Sequence, residues 1–174
     1  MSINNVVLKD NYSKLLGTSE LPFVLASDGS EVIRFSSSSP RQSLSIVSKQ
    51  SDNSVHINTK DGFIYLTTKR FIYITASQGD VSTFSVDLTL SPRLQFSHEL
   101  KSPWFGPNYW EFIFFSTPTP SIASDGFPKN EYFKGQVKFN DGGLFQFVEV
   151  FNSILNDAVN NTQIDDQLPS YSEI

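Results

Sequence analysis

The sequence predicts a mainly β domain, a bent sheet or barrel capped by one C-terminal α-helix. Three observations carry this reading. Val, Ile, Thr, Tyr and Phe dominate the middle of the chain, and these residue types suit a pleated, half-buried surface. From Leu21 to Phe139 apolar residues come in short runs or at a period of two, punctuated by Gly, Pro, Asn, Asp and Ser. After Asp141-Gly142-Gly143 the period lengthens to three and four over a single segment.

Residues 1–20 alternate weakly and read as an N-terminal extension, followed by one domain over 21–160 and a disordered acidic tail over 161–174. Leu21 to Leu25 is the first expected strand, Asp28-Gly29 a turn, and Val32 to Phe35 the second strand. Beyond the polar loop Ser36 to Pro40, Leu44 to Val47 and Val55 to Ile57 are expected strands separated by Ser51 to Ser54. Gly62 to Leu66 and Arg70 to Ile74 are apolar on both faces and joined by Thr67-Thr68-Lys69, which predicts a central hairpin. Gly62 is expected to open its strand at a tight turn, and Thr67 or Thr68 to cap the hairpin with its hydroxyl. Phe84, Val86, Leu88 and Leu90 alternate with polar residues, so this strand is half-buried. Leu94 to His98, Tyr109 to Phe115 and, after a Pro-rich loop over 117–128, Tyr132 to Phe139 complete the set. Leu144, Phe147, Val148, Phe151, Ile154, Leu155, Ala158 and Val159 then form one helical stripe opposite Gln146, Glu149, Asn152, Asn156 and Asp157. Asp141 marks its start and Asn160-Asn161 its expected stop. Seven or more short antiparallel strands followed by one helix is the order that a pleckstrin-homology-like domain requires.

Composition bounds the chemistry. At 174 residues the chain suits one core. It contains no cysteine, which excludes disulfides, cysteine-ligated zinc and thiol nucleophiles and favours an intracellular, cytoplasmic and nuclear address. A net charge of −5 argues against direct nucleic-acid binding, which needs clustered Lys and Arg. No run approaches the ~20 apolar residues that cross a bilayer, and the N-terminus lacks the basic flank of a signal peptide. His56 and His98 stand apart with no partner motif, so both read as surface histidines, and no catalytic, metal or cofactor site is expected.

The tail holds the sharpest motif, Leu168-Pro169-Ser170-Tyr171. Pro169 fixes φ near the polyproline II value and biases Leu168 to extended backbone, while Tyr171 offers a flat ring with one hydroxyl to an aromatic-lined slot. This pattern fits a WW-domain ligand.

The stretch Gly62-Phe63-Ile64-Tyr65-Leu66-Thr67-Thr68-Lys69-Arg70 resembles the G-x-x-Y-L-T-x-x-R signature of GRAM domains, which share the pleckstrin-homology-like fold. Phe105-Gly106-Pro107-Asn108-Tyr109 is similar to the F-G-x-N-Y segment of the WW-domain-binding protein 2 family, and Gly142-Gly143 before Leu144-Phe145-Gln146-Phe147 to its glycine pair ahead of an aromatic helix. The resemblance covers roughly Leu21 to Val159. It implies that Leu168 to Tyr171 docks WW-domain proteins, a Nedd4-type ubiquitin ligase foremost. It also implies a nuclear coactivator role with chromatin-associated partners as the alternative. Family members carry a long tail with repeated P-P-x-Y motifs, whereas this chain has one motif, begins it with Leu, and keeps the tail short.

Read from its residues alone, Phe105-Gly106-Pro107-Asn108 is a fold-determining tight turn flanked by Trp104 and Trp110 as core or surface anchors. Lys60, Lys69 and Arg70 are the candidate lipid-headgroup residues of a pleckstrin-homology-like domain. Asp61 among them and the acidic chain predict a modest field and weak peripheral membrane contact.

Overall fold

A computed structural model describes residues 2–37, 39–49, 55–119 and 126–171, the segment 161–171 by its helical backbone alone. The polar segment expected over 51–54 and the middle of the Pro-rich loop expected over 117–128, residues 120–125, lie outside these residues. Nine strands, β1 (Ser2–Ile3), β2 (Ile33–Ser36), β3 (Gln42–Ser48), β4 (His56–Thr67), β5 (Arg70–Thr75), β6 (Thr83–Asp87), β7 (Ser97–Lys101), β8 (Tyr109–Phe115) and β9 (Tyr132–Phe139), join in one sheet. Two helices accompany them, the short α1 (Tyr12–Leu15) and the long α2 (Leu144–Tyr171). The strand order is β1-β6-β5-β4-β3-β9-β8-β7, with β2 pairing β4 off this path. Among the described residues the end strands β1 and β7 do not pair, so the sheet is bent and open rather than a closed barrel.

β4 makes the bend. Its first half pairs β3, through Ile46↔Ile57, and its second half pairs β5, through Ile64↔Tyr73. The sequence suggested two strands with a break at Gly62, but the backbone runs through. Gly62 does not have a positive φ. A side chain there would strike the Tyr73 ring, whose hydroxyl donates to the Gln42 carbonyl at 2.8 Å. The glycine makes room for a cross-strand tyrosine instead of opening a turn.

Both faces of β5 and of the second half of β4, from Gly62 on, are buried, as their unbroken apolar runs predict, and each face has its own cover. On one side Phe71, Phe112, Phe147 and Phe151 surround Trp110, whose ring centroid lies 4.9 Å from those of Phe112, Phe147 and Phe151. α2 supplies Leu144, Phe147, Phe151 and Ile154 to this core, the stripe read from its period. On the other side Phe63, Tyr65, Ile72 and Ile74 meet Val6 and Phe23. The first 20 residues therefore contribute an edge strand and part of a second core: β1 pairs β6, and Val6 and Leu15 are buried.

Other expectations shift. Leu21 to Leu25 forms no strand, only a single bridge from Phe23 to Leu8. β6 stops at Asp87, whose carboxylate accepts the Thr89 amide at 3.0 Å and turns Leu88–Leu90 into a 3-10 turn. Leu94 precedes β7, which extends to Lys101 instead. α2 runs past Asn160-Asn161 to Tyr171, because neither residue breaks a helix as Gly or Pro would.

Candidate functional site

The β4–β5 turn, where Lys69 and Arg70 sit, is organised by Thr67. Its hydroxyl oxygen accepts the backbone N–H of Lys69 at 3.1 Å and of Arg70 at 2.8 Å, the expected cap, and its hydroxyl donates to Glu31. Thr68 ties the turn to the preceding loop by accepting the Val32 amide at 3.1 Å.

Arg70 is committed inside this turn. Its Nε meets Glu31 Oε2 at 2.7 Å and its Nη2 donates to Oε1 at 2.9 Å and to the Val24 carbonyl at 3.1 Å, while its guanidinium lies 5.7 Å over the Phe23 ring. Glu31 is 5% exposed. Burial raises its carboxyl, but the hydrogen bonds from Arg70, Thr67 and the Ala26 amide outweigh that effect and hold it below its ordinary value. Lys69 donates to the Ser30 hydroxyl, which in turn donates to Asp28. The Ser30 hydroxyl and amide, with Lys69 nearby, hold the Asp28 carboxyl below its usual value.

Lys60 is elsewhere. It lies seven positions from Thr67 along the bent strand β4, at most about 23 Å from the turn at ~3.3 Å per residue, and faces outward. The three residues expected to share a headgroup site thus belong to two regions, and the anion beside Arg70 is Glu31, not Asp61. Glu31 escaped notice because it meets Arg70 across 39 positions of sequence.

Beside the turn is an open cleft of about 440 Å³, walled by Val7, Val24 and Leu25 and edged by Lys69 and Asp87. Val7 is 65% and Val24 48% exposed. With Arg70 neutralised and one cation facing one anion at the rim, the cleft suits a short apolar segment of low charge better than a polyphosphorylated headgroup.

Two neighbouring aromatic side chains of one loop are turned almost wholly to water. Trp104 and Phe105, at the β7–β8 tip, are 96% and 91% exposed. They resolve the two options for the tryptophans: Trp110 is a core anchor and Trp104 a surface one. A signal was present, since Pro103 and Gly106-Pro107 enclose the pair and deny it any strand or helix period.

His98, expected at the surface, is tucked under α2. Its Nδ1 accepts from Trp110 Nε1 at 3.1 Å and its ring centroid is 4.7 Å from that of Phe151. Burial lowers its pKa, against a smaller opposing effect of a hydrogen bond with Asn152. The motif Leu168 to Tyr171 lies on the helical backbone of α2, and its side chains lie outside the described residues.

Among solved structures the chain is similar to the Vps36 N-terminal PH domain, with a TM-score of 0.54 over 89% of this chain and 93% of that one at 17% identity. The fold is pleckstrin-homology-like. At that identity the likeness speaks for architecture alone. No family model matches the chain. A curated relative, the UPF0664 stress-induced protein C29B12.11c of Schizosaccharomyces pombe, is 30% identical over 117 residues, or 63% of this chain. The chain spans 60% of that relative's length.

Proposed function

We propose that the chain is a non-catalytic adaptor, a pleckstrin-homology-like domain that offers Leu168-Pro169-Ser170-Tyr171 to WW-domain proteins, with a Nedd4-type ubiquitin ligase as the partner class. The observation that carries this reading is how α2 spends its length. Ile154 is the last fully buried side chain among the described residues of the helix, and Leu155 to Asn160 are half-buried or exposed. At ~1.5 Å per residue, Leu168 begins about 21 Å further along the helix axis. Among the described residues the buried stripe of the helix ends at Ile154, before the motif starts.

WW domains read polyproline II backbone, so the end of α2 has to unwind on binding. That step is inexpensive. Pro169 has no N–H to donate to the preceding turn, and proline costs about 3 kcal/mol in a helix interior; a short helical segment on its own is marginal in water.

The experiment is titration of the full chain, and of a fluorescent peptide spanning residues 164–174, against a panel of isolated WW domains. Native chain and peptide are expected to bind; Tyr171→Ala and Pro169→Ala to lose binding while the melting temperature of the domain holds. Far-ultraviolet circular dichroism should show helix lost on complex formation. Equal affinity of native and Tyr171→Ala peptides across the panel defeats the proposal. Phosphorylated Tyr171 should not bind, because about two negative charges enter a slot shaped for a neutral phenol.

A further inference from the structure

The β7–β8 connection, residues 102–108, is exposed from Ser102 to Pro107 and carries Trp104 and Phe105 at its end. Gly106 turns it with a φ of +98°, and a Cβ built there meets no atom within 4 Å. The tip is a convex projection, with two large apolar side chains turned to water at a cost that the fold itself does not recover.

What stands behind the tip is ordered by strand register. Lys101 is opposite Tyr109, and the pairing of Trp110 with Val137 brings Tyr109 beside Lys138, which is opposite Ser43. Across the irregularity between Gln42 and Leu44, Ser43 faces the Lys60-Asp61 region of β4. Trp110, Val137 and Leu44, one position on in each strand, are fully buried, so this row lies on the outer face. Lys101, Lys138 and Lys60 thus form a line about 20 Å wide, at ~4.8 Å per strand, just behind the tip. The carboxylates Glu99 and Glu111, which approach Lys101 at 3.1 and 3.6 Å, lie one row further away from it. Asp141 at the same end is held by Arg41 at 3.4 Å. Among the described residues Lys138 and Lys60 form no ion pair.

We infer that the β7–β8 tip is a membrane-interface anchor: Trp104 and Phe105 enter the headgroup region of a lipid bilayer while the Lys101–Lys138–Lys60 row meets anionic headgroups. Dimensions agree. Trp104 is three residues beyond Lys101, at most about 10 Å of extended chain, and interfacial apolar groups bury about 5–10 Å into the headgroup–acyl boundary. Tryptophan is the side chain that settles at that depth, with an apolar body and one N–H for the wet side. A protein partner fits less well. The two rings offer about 300–500 Å² together, short of the ~800 Å² per side of a specific interface, and a convex tip provides no groove. A bilayer needs neither. This site is separate from the β4–β5 turn and from the C-terminal motif.

The test is sedimentation of the full chain with vesicles of phosphatidylcholine alone and of phosphatidylcholine mixed with phosphatidylserine, read together with tryptophan emission. Trp110 is already buried, so a blue shift on vesicle addition reports Trp104. Wild type is expected to pellet with the mixed vesicles and shift to the blue. Trp104→Ala with Phe105→Ala should weaken partitioning at least about tenfold with unchanged melting temperature. Trp104→Phe should still pellet but lose the blue shift. Lys138→Gln should weaken binding to the mixed vesicles about fivefold and Lys138→Glu by more, and raised salt should weaken it likewise. Wild type that remains in the supernatant of both vesicle types, or a double variant that pellets like wild type, overturns the inference. A concentration-dependent dimer in light scattering that the double variant loses also overturns it, since the tip would then belong to a second copy. Equal pelleting on both compositions overturns the role given to the lysine row.

Discussion

Glu31 keeps its charge inside the protein because four donors converge on it: Arg70 through Nε and Nη2, the Thr67 hydroxyl and the Ala26 amide. Replacing Arg70 by Ala leaves a buried carboxylate half-satisfied, and the expected loss is about 3 kcal/mol of folding free energy. Chemical denaturation of Arg70→Ala measures this, and adding Glu31→Gln should restore part of it. Lys69→Glu, on a half-exposed side chain, should change stability little. Titration adds a second check at the same scale. The His98 pKa is lowered in the fold, so below the ordinary value of 6.5 the unfolded chain takes up a proton that the folded one refuses, and stability falls as pH falls through that value. Glu31 acts in the same direction at lower pH: its folded value lies under 4.5, so its contribution is present above 4.5 and is lost as pH drops through the folded value. Melting curves recorded downward from pH 7.5 should show a first decline near 6.5, reduced in His98→Gln, whose side-chain carbonyl can still accept from Trp110.

Among the elements, α2 was the most legible, because eight apolar positions at three- and four-residue spacing admit only one period. Phe151 packs against Trp110, Phe147, Phe96 and His98. Phe151→Ala should cost about 3–5 kcal/mol. Asn152, read as solvent-facing, touches His98, so Asn152→Ala should cost about 0.5–1.5 kcal/mol and not zero. Comparable melting shifts for the two variants would contradict the helix phase. The strands were legible where both neighbours restrict them: β8 and β9 match their expected spans residue for residue. β4 was not, because Lys60-Asp61-Gly62 carries the same residue types whether a chain turns or a strand lets a tyrosine ring pass. Gly62→Ala discriminates between these roles. It should destabilise by about 1–3 kcal/mol through the Tyr73 ring, and Tyr73→Phe, which keeps the ring, should not relieve the clash.

At the scale of the whole molecule, the sequence could name the charged candidates but not their separation, since which residues meet depends on where β4 bends. Lys60 was grouped with Lys69 by proximity in sequence, yet an extended strand carries them apart, while Glu31 and Arg70 were brought together from a distance. Phe105 belongs to the family-like segment Phe105 to Tyr109 and Trp104 flanks the turn it forms; neither stands out in the sequence as exposed, because aromatic residues in a chain so rich in phenylalanine are by default core. β4 is shared by both halves of the sheet, so neither half has a complete core alone. Unfolding should therefore be a single transition by near- and far-ultraviolet dichroism, with coincident midpoints in urea. Separate midpoints would mean that the cover formed by the first 20 residues melts independently.

Among the described residues the two borders of the sheet are unpaired, which has a consequence for behaviour at high concentration. One border, β1, is two residues long, and the other, β7, shows Glu99 and Lys101 on its outward face, each held in an ion pair with the other. A foreign strand trying to extend the sheet would find too little backbone on one side, and on the other would have to accommodate fixed charges of both signs. For a chain that is 14% aromatic, and whose unfolded form would stick to itself readily, that is protection against fibril growth from the native state. Aggregation should accordingly follow the unfolded fraction and not the total concentration of folded protein.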